Sequence, residues 1–60
     1  MKISVRKRIQ QVFEVADWAT GHANPDDVAA IKLNLAQTLR IVLDGLPKEV
    51  LDMKVKVVLP

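Results

Sequence analysis

The sequence predicts a mainly helical fold: two antiparallel helices, at about residues 4–20 and 25–44, followed by a short β-strand at about 53–59. Apolar residues recur at steps of three and four over the first two segments, as on one face of a helix. Over the last segment they alternate with lysines, as in a strand. One Phe and one Trp are the only aromatic residues, and an aliphatic core is typical of packed helices. The 60 residues, 1–60, form a single small domain.

The first helix is predicted from an apolar stripe and a cap residue. The stripe consists of Val5, Ile9, Val12, Ala16 and Ala19. Ser4 precedes it and is a favoured N-cap, because its hydroxyl accepts a hydrogen bond from a backbone N–H of the first turn. At the other end, Gly21 is expected to adopt the left-handed conformation that commonly closes helices.

The second helix has the clearest start signal in the sequence. Asn24 is a favoured N-cap and Pro25 suits the first helical position, while the two aspartates that follow complement the helix dipole. The predicted apolar face comprises Val28, Ile31, Leu35, Leu39 and Val42. Gly45 and then Pro47 are expected to end the helix.

The C-terminal segment is predicted to be a strand after one helical turn at Lys48–Asp52. The alternating apolar residues are Met53, Val55, Val57 and Leu59. A lone strand leaves its backbone hydrogen-bonding groups without partners. We therefore expect it to pair either with residues 2–5 or with the same strand of a second chain.

A homodimer with four helices packed together is predicted from the size of the chain. A 60-residue domain buries only about 60% of the surface that its unfolded chain exposes. Without cysteine and with a single histidine, the sequence offers neither disulfides nor a conventional zinc site, so oligomerisation remains. The residues predicted at a partner or dimer interface are Trp18, Leu33, Leu35, Leu39 and Ile41.

A basic cluster near the N-terminus is the strongest functional signal. The candidate nucleic-acid-binding residues are Lys2, Arg6, Lys7 and Arg8, joined by Lys54 and Lys56 on the strand. Cations in the first turn of a helix oppose its dipole, at about 0.3–1 kcal/mol each. The cluster therefore indicates an anionic partner, most simply a nucleic-acid backbone, or else a solvated terminus that keeps the protein soluble.

A related alternative follows from the order of elements. A short strand before two helices resembles the layout of ribbon-helix-helix proteins, in which the ribbon of a dimer enters the major groove. In that arrangement Lys2, Ser4 and Arg6 point outward, and Ile3 and Val5 point inward. The C-terminal strand has no place in that minimal plan.

Trp18 falls on the polar side of the first helix, at about 100° per residue. We expect the C-terminal segment, at Val55 or Val57, to fold over it. The alternative is a contact with a partner protein or a stacked base.

Several functional classes are unexpected for this sequence. There is no plausible catalytic set, no glycine-rich phosphate loop, and no apolar run of membrane-spanning length. His22 beside Asp26 and Asp27 is interpreted as a loop with a helix cap rather than as a metal site. We therefore predict no enzyme activity, metal, cofactor, small-molecule substrate or membrane span.

The sequence thus predicts a small, non-enzymatic, homo-oligomeric binding protein of the cytoplasm. A chain without cysteine is compatible with that reducing compartment. The protein acts either as a nucleic-acid-associated regulator or as a protein-binding adaptor or inhibitor that uses Trp18 and the outer face of the second helix. A module that only oligomerises is the third alternative.

Overall fold

The computed structural model describes residues 1–58, which form a hairpin of two long helices with a two-stranded ribbon. In chain order the elements are β1 (Lys2–Ser4), α1 (Val5–Ala19), a 3-10 turn (Thr20–His22), α2 (Pro25–Gly45), α3 (Lys48–Asp52) and β2 (Lys54–Lys56). The predicted mainly helical fold, with a short C-terminal strand, is confirmed.

Helix α1 begins at Val5 because Ser4 has an extended backbone and caps the helix. The Ser4 hydroxyl accepts a hydrogen bond of 3.1 Å from the backbone N–H of Lys7. Along the helix, Ile9, Phe13 and Ala16 are partly buried, whereas Val12 is 57% exposed. The predicted stripe was therefore wrong at Val12 and at Ala19, which is also exposed, because the side of α1 that meets α2 is centred between Ile9 and Phe13.

The end of α1 differs from the prediction for Gly21. No glycine in the described part of the chain has a positive φ. Instead, α1 tightens into the 3-10 turn while Thr20 stays right-handed, with φ −63° and ψ −20°. The Thr20 hydroxyl donates to the Asp17 carbonyl at 2.7 Å, and the Ala23 N–H donates to the Thr20 carbonyl at 3.0 Å. These bonds close the helix without a left-handed residue.

Both ends of α2 follow the predicted signals. The Asn24 side chain accepts a hydrogen bond from the backbone N–H of Asp26 at 3.0 Å, and Pro25 occupies the first turn. The helix stops after Gly45 because Leu46 precedes Pro47, and a residue before proline avoids the helical region. Its predicted apolar face, from Val28 to Val42, is partly buried as expected.

The two strands pair with each other in antiparallel register. Lys2 lies opposite Lys56, Ile3 opposite Val55, and Ser4 opposite Lys54. The first of the two predicted pairing partners is therefore the one found. The strand is shorter than predicted because α1 begins at Val5, directly after its cap Ser4, and so limits β1 to three residues. Residue 59, which was expected in the strand, lies outside the described residues.

The molecule is a single flat layer with very little interior. It measures 39 × 27 × 11 Å, and its radius of gyration is 13.4 Å, against about 10 Å for a compact domain of this length. Within residues 1–58, Leu51 and Thr20 are the only buried side chains. The elements therefore lie side by side in one layer, and few of their side chains are enclosed.

Candidate functional site

The β-ribbon gathers three lysines on one of its faces. Residues that lie directly opposite each other in an antiparallel pair point to the same side of the sheet. Lys2, Lys56 and Lys54 therefore share a face, which we call the lysine face, and all three are exposed. Ile3 and Val55 occupy the other side and are partly buried.

This arrangement of charges does not help the ribbon to fold. Like charges directly opposite each other destabilise a strand pair, by up to about 1 kcal/mol. Lys2 and Lys56 form such a pair. In the described part of the chain, neither these residues nor Lys54 forms an ion pair. Within residues 1–58, the lysine face is thus a concentration of positive charge without an ion-pair partner.

Arg6 has a compensating partner. Its Nη1 lies 2.7 Å from Oδ1 of Asp52, so the side chain joins the first turn of α1 to the end of α3. The two side chains are 40% and 46% exposed. An ion pair this exposed contributes at most about 1 kcal/mol, but it neutralises much of the charge that Arg6 was predicted to offer an anion.

The other two cations of the predicted cluster lie beside the ribbon. The backbone N–H of Lys7 bonds to Ser4, which occupies the lysine-face side of β1 opposite Lys54. The Lys7 side chain is exposed, whereas Arg8 is partly buried and donates from Nη1 to Oε1 of Gln11 at 3.2 Å. The fold therefore brings the predicted residues to one end of the molecule, where, within residues 1–58, Arg6 is the one that forms an ion pair.

Trp18 lies far from this end, and the expected cover by the C-terminal segment was wrong. The residue is 71% exposed, and its ring meets the edge of the His22 ring at a centroid distance of 5.2 Å. Strand β2 pairs with β1 at the start of α1, and thirteen residues of helix separate Val5 from Trp18 by about 20 Å. Val55 and Val57 are therefore remote from the indole.

A long groove runs between α1 and α2 on one broad face of the layer. It encloses about 830 Å³ and is open along its length. Its apolar lining consists of Phe13, Trp18, Leu35, Ala36 and Leu39, and its polar rim of Gln10, Glu14, Asp17 and Lys32. Within the rim, Lys32 Nζ and Asp17 Oδ2 form an ion pair of 3.1 Å between the helices. We call this surface the hairpin groove.

The five residues predicted at an interface fall on separate surfaces. Leu35 and Leu39 are partly buried in the hairpin groove, with Trp18 at its end. Leu33 and Ile41 lie on the outer side of α2, where they are 60% and 71% exposed. Sequence reasoning missed the groove itself, although a small residue, Ala36, directly after Leu35 was a usable signal that another element can approach closely.

The described residues contain no group of three His, Asp or Glu side chains that could hold a metal ion. Neither long helix has an apolar stretch sufficient to cross a membrane. Comparison of the chain with protein-family models, curated proteins and solved structures gave no match.

Proposed function

We propose that this chain is a non-enzymatic nucleic-acid-binding protein whose lysine face contacts the phosphate backbone. One observation carries the proposal: Lys2 and Lys56 lie directly opposite each other, with Lys54 on the same face. Folding gains nothing from this pairing, and within residues 1–58 no carboxylate bonds to any of the three. An anionic partner supplies the compensation that residues 1–58 do not provide.

The spacing of the lysines favours a polymeric anion over a single small one. Lys54 and Lys56 are two residues apart on a strand, which separates their Cα atoms by about 7 Å. Charges spread over this distance, with Lys2 across the ribbon, suit successive phosphates of a nucleic acid. Lys7, in the adjoining turn of α1, extends the same positive end of the molecule.

The experiment is a fluorescence anisotropy titration of labelled mixed-sequence duplex DNA and of RNA at two salt concentrations. The test variant is K2Q/K56Q. The control R40Q/K48Q removes the same formal charge from exposed positions outside the ribbon, where Arg40 lies 3.8 Å from Asp44 in a highly exposed i,i+4 pair. We expect steeply salt-dependent binding by the wild type. Each phosphate contact contributes about 0.9 to the log–log salt slope on duplex DNA, so K2Q/K56Q should lower that slope by about 2.

The control variant makes the result interpretable. Both double variants reduce the formal net charge from +2 to 0, so a general charge effect weakens them equally. Binding that survives in K2Q/K56Q, or that falls equally in both variants, contradicts the proposal. The proposal is also contradicted if wild-type protein fails to bind either nucleic acid at low salt, or if it binds only vesicles of anionic lipid.

A second candidate function is that of a protein-binding adaptor or inhibitor, and the exposure of three apolar side chains favours it. Trp18 is exposed at the end of α1, and Leu33 and Ile41 are exposed on the outer side of α2. Large apolar side chains that contribute so little to the fold are frequent anchors of protein interfaces.

A Trp18→Ala variant tests this candidate. Because Trp18 is 71% exposed in the single chain, we expect the melting temperature to change by less than about 2 °C at a concentration where the protein is monomeric, while binding to a partner protein is lost. A large drop in melting temperature would show that Trp18 supports the fold. Partner binding that is unchanged in the variant would end the adaptor hypothesis.

A further inference from the structure

We propose that the hairpin groove is covered by the groove of a second copy of this chain, in a two-fold dimer with α1 of each copy over α2 of the other. The proposal concerns a different surface from the lysine face and does not rest on the proposed function. It is carried by the exposed area of the chain, by the shape of the groove and by the charges along its rim.

The exposed area matches what a stable interface requires. The chain exposes 4873 Å², whereas a folded monomer of 6.7 kDa exposes about 3,900 Å² on average. The excess is close to 1,000 Å², and a standard protein interface covers about 800 Å² on each partner. A second copy that covers one broad face therefore brings the exposed area to the ordinary range.

The lining of the groove is complementary to itself under this symmetry. The Lys32–Asp17 ion pair shows that these two residues lie at the same height along the axes of the antiparallel helices. Each helix rises about 1.5 Å per residue. Phe13, four residues before Asp17, and Ala36, four residues after Lys32, therefore lie at the same height along the two antiparallel helices. A two-fold axis parallel to the helices preserves levels, so Phe13 of one copy faces Ala36 of the other. A large side chain then meets a small one twice.

The charges along the rim agree with the same arrangement. The α1 side of the groove carries Glu14 and Asp17, and the α2 side carries Lys32. Within each chain Lys32 already pairs with Asp17 at 3.1 Å, so with α1 over α2 of the second copy the additional contact is between Glu14 of one chain and Lys32 of the other. With α1 over α1, the carboxylates would face each other instead. Complementary charge at an interface rim favours the first arrangement.

Sedimentation equilibrium of the wild type and of two alanine variants tests the dimer. Ala36 lies in the hairpin groove and Ala30 lies on the outer side of α2, and both are exposed within the same helix. We expect twice the 6.7 kDa chain mass for the wild type and for A30Q at micromolar concentration. A36Q should raise the dimer Kd about ten- to hundred-fold, because its amide lacks partners in an apolar interface. Unchanged circular dichroism confirms that each variant is folded.

Three results would overturn the proposal. Wild-type protein that sediments as a single chain excludes the dimer. Loss of the dimer in A30Q but not in A36Q places the interface on the outer side of α2. Equal dimerisation of all three proteins excludes the groove.

Single cysteines test the arrangement of the helices without depending on affinity. The natural chain has no Cys, so any thiol cross-link comes from the introduced residues. An equimolar mixture of E14C and A36C, treated with a short thiol cross-linker, should give mainly the mixed dimer by mass spectrometry. A predominance of cross-linked E14C pairs would show α1 over α1 and would contradict the proposed symmetry.

Discussion

At the scale of single residues, Arg6 shows that the fold can pair a charge that the sequence alone presents as free. Its position in the first turn of α1 indicated an anion-binding role, but its guanidinium lies 2.7 Å from the Asp52 carboxylate. Lys2 and Lys56 are the reverse case, because each is a simple exposed lysine in sequence and only the register of the ribbon places them opposite each other.

A double variant, Arg6→Gln with Asp52→Asn, keeps the net charge and should leave nucleic-acid binding within about two-fold of the wild type, because the pair contributes no net charge to the site. It should lower the free energy of unfolding by less than about 1 kcal/mol, since both partners are 40% or more exposed. Anisotropy titration and urea unfolding measure the two quantities. A ten-fold loss of affinity would show that Arg6 leaves Asp52 to contact the ligand.

Ser4 gives a second prediction at this scale. Its hydroxyl caps α1 through the Lys7 N–H, and the first turn contains no acidic residue to assist it. A Ser4→Ala variant should therefore lose about 1 kcal/mol of stability in urea unfolding. Ser4→Asp should retain the stability, because a carboxylate caps as well and also complements the dipole. Equal stability of the alanine variant would mean that the cap contributes nothing.

At the scale of elements, features set by contacts between neighbouring residues could be predicted from the sequence, whereas features set by contacts between distant residues could not. Asn24 and Pro25 begin α2 through contacts within one turn, so the sequence alone sufficed to place that boundary. The alternation of valines and lysines predicted a strand near its observed position. It did not decide between two pairing partners, because that choice depends on residues about fifty positions away in the chain.

The same reasoning explains the residues that sequence analysis misplaced. Val12 was assigned to the buried stripe because helical periodicity gives the spacing of a face, whereas the neighbouring helix decides its centre. Trp18 was expected to be covered because a large indole is costly to expose, yet β2 is held at the opposite end of α1 by its pairing with β1. Both errors concern contacts between distant parts of the chain.

The turn between the long helices carries a prediction of its own. Gly21 has no positive φ, and a Cβ placed on it would have no heavy atom within 4 Å. A Gly21→Ala variant should therefore stabilise the protein by about 0.4–1 kcal/mol, because alanine reduces the entropy of the unfolded chain. Thermal unfolding measures the effect. A destabilised variant would show that the glycine adopts a left-handed conformation after all.

At the scale of the whole molecule, the small thickness of the layer limits the core that the single chain can form. A layer 11 Å thick with two buried side chains in its described residues has almost no core, so its stability should depend on what covers its broad faces. If a second copy does so, the urea midpoint must rise with protein concentration, because association stabilises the folded state by mass action. A midpoint independent of concentration over a hundred-fold range would mean that the single chain is stable as it stands.

The central claim is that the lysine face serves a ligand rather than the fold, and a Lys56→Glu variant tests it in one protein. Glutamate at 56 lies opposite Lys2 and replaces a repulsive cross-strand pair with an attractive one. We predict that the free energy of unfolding rises by about 0.5–1 kcal/mol while nucleic-acid affinity falls at least ten-fold. A Lys48→Glu control, which changes the net charge equally from an exposed site, should retain most of the affinity. Lower stability together with wild-type affinity in Lys56→Glu would contradict the claim.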